Sequence, residues 1–224
     1  SASIDLIDIS FAKSYRSLLP INISDLKWRF EGPFDSNYSL AILNRYFIDA
    51  FSKINKKITI NVTEGGGDYN HNIEFLMRYE KLYSTYLKSQ NINQVPDISS
   101  RNLYPPRVID MNSRLNLIHS YGWEESMFPS EWVDEFNEYL QGISVMSSFV
   151  KKVLIDNGVK IPIEVTGLGL SHFQSIIADE TYQIDAKKFK ILHVSSCFPR
   201  KGIDILLEAF ANSFTCDDDI SLIV

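Results

Sequence analysis

Short apolar runs alternate with longer segments of helical period along most of this chain. "LKWRFEGPF" (26–34) is a strand closed by Gly-Pro. In "SLAILNRYFIDAFSKI", Leu40, Leu43, Phe47, Phe51 and Ile54 keep a helical spacing, and Ser39 is placed to cap the start. "KITINVTEGGG" is a β-branched strand running into three glycines, best read as a flexible loop, and "HNIEFLMRYEKLYSTYLKSQ" predicts one long helix. "VPDISSRNLYPP" is a short strand stopped by prolines, and "RLNLIHSYGW" an apolar strand opening into a polar loop. Helix "PSEWVDEFNEYL", with Pro129 near its first turn, strand "GISVMSS" and helix "SFVKKVLIDNG", stopped by Gly158, follow. The pattern closes with strand "IPIEVTGLGLSHF", an aperiodic stretch, strand "KILHVSS", helix "KGIDILLEAFANSF" and the strand opening "ISLIV".

Strands alternating with helices, several of them apolar on both faces, predict an α/β, Rossmann-like, doubly wound parallel sheet. The expected organisation is a mixed N-terminal extension (1–26), a Rossmann-like domain (27–173), a linker (174–188) and the first β-α-β of a second Rossmann-like domain (189–224). A piece of roughly 35 residues is too small to hold a core alone. Residues 189–224 are therefore expected to open a further domain of a longer protein or to pack onto the first.

Composition narrows the function classes. With a net charge of −6, nucleic acid or an anionic membrane is not the expected main partner. Cys197 and Cys216 form no CxxC pair, which speaks against a zinc ribbon or disulfide framework and for a cytoplasmic setting. No apolar run is long enough to span a bilayer. His71, His172 and His193 lack metal spacing, so no metal or resident cofactor is expected.

One stretch conflicts with simple electrostatics. Arg200 and Lys201 stand where a strand becomes a helix, at the positive end of the helix dipole. A bound phosphate resolves the conflict, and Gly202 gives room for its approach. A solvated pair balanced by Asp204 or by Asp217–Asp219 is the plain alternative. His119, Tyr121, Glu124 and Trp123 lie at a strand end, where ligands bind in such sheets. The first strand–helix turn adds Gly32, Asp35, Ser36 and Asn37, without the glycine fingerprint of a dinucleotide fold. That omission weighs against an NAD-dependent enzyme.

In order, "EGPFDSNYSLAILNR", "IHSYGWEESMFPSEWVDEFN", "GISVMSSFVKKVLIDNGVKIPIEVTGLGLSHF" and "KILHVSSCFPRKGIDILLEAF" resemble the family-four glycosyltransferases of the GT-B fold, in particular bacterial enzymes of surface polysaccharide, or O-antigen, synthesis. The resemblance implies metal-independent, retaining transfer from a nucleotide-sugar to a glycan or lipid-linked acceptor, with possible peripheral membrane association. It places Lys201, with Arg200 and Gly32, at the donor phosphates and His119 near the transferred sugar, as the catalytic candidate. Asp35, Ser36, Asn37, Tyr121, Glu124 and Gly169 become cleft or acceptor candidates. Ser195 stands where the family often has Arg, and Ser171 where Asp is common. The family's paired glutamates are expected beyond residue 224, so the isolated chain is expected to have little transferase activity. A non-catalytic sugar- or nucleotide-binding scaffold of the same fold is the alternative.

Overall fold

The computed structural model describes residues 22–64, 70–90, 95–170, 173 and 176–224. Most of the expected extension, the triple glycine at 65–67 and Ser171–His172 lie outside the described residues. The chain divides into two compact units, Ser1–His172 and Phe173–Val224.

The first unit runs β1 (Trp28–Gly32), α1 (Ser39–Phe51), β2 (Ile58–Val62), α2 (Ile73–Met77), α3 (Glu80–Gln90), β3 (Ile98–Arg101), β4 (Leu115–Tyr121), α4 (Ser130–Tyr139), β5 (Gly142–Val145), α5 (Ser148–Asp156) and β6 (Ile163–Val165). The six strands form one parallel sheet in the order β2-β1-β3-β4-β5-β6. The chain leaves β1 toward β2 and returns on its other side to β3. That reversal is the switch point of a Rossmann-like sheet.

Side chains alternate between the faces of a strand, and the two faces carry separate cores. On one, Phe30 packs beneath α1, its ring centroid 5.1 Å from Phe51 and 5.6 Å from Phe47. Ile60, Val62, Leu76, Leu82 and Tyr86 join this cluster. On the other, Ile118, Ile143, Val145 and Ile163 meet Val133 and Phe136 of α4 and Val150, Val153 and Leu154 of α5.

A bulge links the two cores. The β4–β5 register shifts between Ile118 and Tyr121, and Ser120 takes the left-handed φ of 50°. The extra residue sends Tyr121 to the face of Ile118 rather than that of His119.

Two local expectations change. The predicted long helix is two, because Arg78 and Tyr79 donate three residues back, to Phe75 and Leu76, and end α2. On a straight helix, six residues rotate a side chain by about 240°. The break lets Leu76 and Leu82 enter one core. Ser39 also lies inside α1, whose N-cap is Tyr38 with no side-chain cap bond.

A buried charge cluster sits where β1 meets β3. The Glu31 carboxylate, 1% exposed, accepts from Arg101 Nε at 2.7 Å and pairs with Arg29 Nε at 2.6 Å. Arg101 Nη1 donates to Asp110 Oδ1 at 2.6 Å. Burial alone would raise the Asp110 pKa, but Arg101 and Arg107 hold it below the usual carboxylate value.

The second unit is a β-α-β: β7 (Phe189–Leu192), α6 (Ile203–Ser213) and β8 (Ile220–Ile223), with β7 and β8 parallel. None of its described residues is buried.

Replacing Glu31 by Gln leaves the buried Arg101 with only Asp110 as counter-charge. The expected loss is about 3 kcal/mol, read as a lower urea midpoint at unchanged slope.

Candidate functional site

The β1–α1 loop is built around its own polar groups. Gly32, at φ 148°, has no room for a side chain: a built Cβ would stand 2.3 Å from the Asn102 carbonyl oxygen and 2.6 Å from Asn44 Nδ2. The close approach that this glycine permits is to the protein itself. Asp35 is buried, and its Oδ2 accepts from the Asn72 backbone amide at 2.7 Å, at the entrance to α2. The Phe34 and Ser36 carbonyls accept from Arg45 Nη1, at 2.8 and 2.5 Å. The Arg45 guanidinium also lies 5.1 Å from the Phe75 ring centroid and 4.9 Å from that of Tyr79. Ser36 Oγ is enclosed without a partner among the described residues, and Asn37 is exposed.

His119 stands near the carboxyl end of β4 and is 2% exposed. Its Nδ1 is 3.1 Å from Ser100 Oγ and its Nε2 3.1 Å from Asn44 Oδ1. Asn44 Nδ2 donates to the Pro33 and Asn102 carbonyls, both at 3.0 Å. Its Oδ1 is therefore the acceptor, so Nε2 carries the imidazole proton and Nδ1 accepts from the Ser100 hydroxyl. Burial lowers the His119 pKa to about 3. The ring is a neutral link between α1, β3 and β4, with both nitrogens engaged inside the protein.

The bulge turns Tyr121 into the opposite core, where its hydroxyl is enclosed without a partner among the described residues and burial raises its pKa. Trp123 donates to the Met127 carbonyl at 2.8 Å and packs edge-on to Phe128 and Trp132. Trp28 packs against Phe51 at 4.6 Å. Glu124 and Gly169 are exposed. Asn44 thus joins His119 to the Gly32–Pro33 turn, while Tyr121 and Gly169 lie elsewhere.

Asn44, Arg45 and Ser100 escape a reading of strand ends and turns. The buried residues of α1 are Ala41, Asn44, Arg45 and Ile48, a stripe rotated from the expected Leu40, Leu43, Phe47 and Phe51, so the helical period did not mark Asn44 or Arg45. Polar residues on the buried stripe of a helix must have partners there.

In the second unit the β7–α6 turn has defined geometry. Ser195 Oγ lies 2.8 Å from His193 Nε2 and accepts from the Cys197 amide at 3.1 Å. Cys197 takes a left-handed φ of 52°. Pro199–Lys201 then form one 3-10 turn, closed by Lys201 and Gly202 amides donating to Phe198 and Pro199. Gly202, at φ 65°, is the N-cap of α6 and has no side chain to offer its first amides. Arg200 and Lys201 are exposed beside that terminus.

Among the described residues, no group of three His, Cys, Asp or Glu could hold a metal, and no helix is long and apolar enough to cross a membrane. Comparisons with protein-family models, with curated proteins and with solved structures find no match.

The neutral His119 gives stability a pH signature. Its folded pKa lies below the ordinary value of 6.5, so the unfolded chain takes up the proton first as pH falls. Its contribution is complete above pH 6.5 and is lost toward pH 3, at about 1.4 kcal/mol per pH unit. The imidazole Cε1–H resonance of His119 should stay constant from pH 8 to 4.5 in the folded protein.

Proposed function

We propose that the chain binds the diphosphate of a nucleotide-sugar at the start of α6, as part of a retaining glycosyltransferase of GT-B type acting on a glycan or lipid-linked acceptor. The observation that carries this reading is the placement of Arg200 and Lys201 immediately before the N-terminus of α6, which has no side-chain cap, in the connection that follows parallel strand β7. Helix amides, dipole and two cations favour one dianionic ligand together. The same charges would stabilise a departing nucleoside diphosphate during transfer, which is the electrostatic demand of that chemistry.

His119 enters this reading as a positioning residue. Its nitrogens are committed to Ser100 and Asn44, and its neutral form is favoured well below neutral pH. Gly32 likewise serves the packing of the first unit.

Binding tests the proposal without requiring a complete catalytic apparatus. UDP and GDP titrated calorimetrically into the chain should give saturable binding with at least one of them. Lys201→Ala and Arg200→Ala should each weaken it about tenfold, which corresponds to about 1.4 kcal/mol, and the double variant should abolish it. Undiminished affinity in the double variant refutes the assignment.

A further inference from the structure

Between Cys197 and Gly202 the turn that carries Arg200 and Lys201 is set by local chemistry at every position but one. Pro199 fixes its own φ through its ring and keeps Phe198 extended, at φ −66° and ψ 150°. Arg200 and Lys201 belong to the 3-10 turn that the Lys201 and Gly202 amides close. Gly202 takes its φ of 65° with no Cβ to oppose it. Cys197 is the exception. Its φ of 52° is left-handed, and a Cβ disfavours that region.

One side chain holds Cys197 there. Its amide donates to Ser195 Oγ at 3.1 Å, and the same oxygen lies 2.8 Å from His193 Nε2. His193 is itself anchored, because its amide donates to the Ile223 carbonyl at 2.9 Å, at the end of the β7–β8 ladder. A line of bonds thus runs from the sheet through the imidazole and the hydroxyl to the strained residue of the turn. A serine oxygen two residues back is a natural acceptor for a turn amide. Non-glycine residues persist in such a conformation only where their surroundings fix them.

We propose that Ser195, steadied by His193, is a positioning residue of the diphosphate site at the start of α6, and the role rests on that site. The hydroxyl keeps Cys197 left-handed. The steps that follow are locally fixed, so the direction in which the chain leaves Cys197 decides where Arg200 and Lys201 stand. The role is indirect and requires no contact between the hydroxyl and the ligand.

Two measurements on the whole chain test it, with circular dichroism as the check on folding. Hydrogen exchange at the Cys197 amide, followed by NMR, should quicken about tenfold in Ser195→Ala and stay unchanged in Ser195→Thr, which keeps the hydroxyl. In calorimetric titrations with UDP and GDP, Ser195→Ala should bind about tenfold more weakly than the wild type, and Ser195→Thr equally well. Adding Cys197→Gly to Ser195→Ala should restore the affinity, because glycine takes the left-handed φ unaided. A hydroxyl that touched the ligand could not be replaced in this way, so a double variant that stays weak overturns the proposal. Unchanged exchange in Ser195→Ala also overturns it, as does undiminished affinity there, and both results leave the diphosphate site standing. A wild-type chain that binds neither nucleotide removes that site, whatever the exchange rates, and the proposal with it.

Discussion

One primary amide ties the first unit together. Asn44 spends both Nδ2 protons on carbonyls of the β1–α1 turn and of the segment after β3, and its oxygen on the imidazole of β4. Three chain segments meet there, so the amide leaves no freedom to its neighbours. Gly32 must lack a Cβ because Asn44 and Asn102 occupy that space. His119 must keep its proton on Nε2, and Ser100 must donate. A buried polar network of this kind is stable only when every member is satisfied, and here each bond fixes the direction of the next.

The alternation of strand and helix was legible from the residues, because periods of two and 3.6 are local properties. The break between α2 and α3 was not, since it answers a demand from the core on Leu76 and Leu82. The bulge at Ser120 was equally hidden: a serine between histidine and tyrosine carries no mark of a left-handed φ. Both depend on neighbours distant in sequence.

The candidate site was legible in part for the same reason. The turn before α6 shows in the chain as Pro-Arg-Lys-Gly, and proline, glycine and adjacent like charges each carry their physics locally. His119 is different. Its position at a strand end suggests contact with a ligand, and only its surroundings show both nitrogens occupied and the ring enclosed. Position along a strand does not reveal depth beneath a helix.

The insertion at Ser120 resets which layer the end of β4 serves. Before it, β4 sends His119 into the layer under α1; after it, Tyr121 goes to the layer under α4 and α5. Under strict alternation Tyr121 would share the side of His119, and the surplus residue moves it across the sheet. One added residue thus acts as a change of phase, and an aromatic ring is delivered to the opposite storey of the molecule.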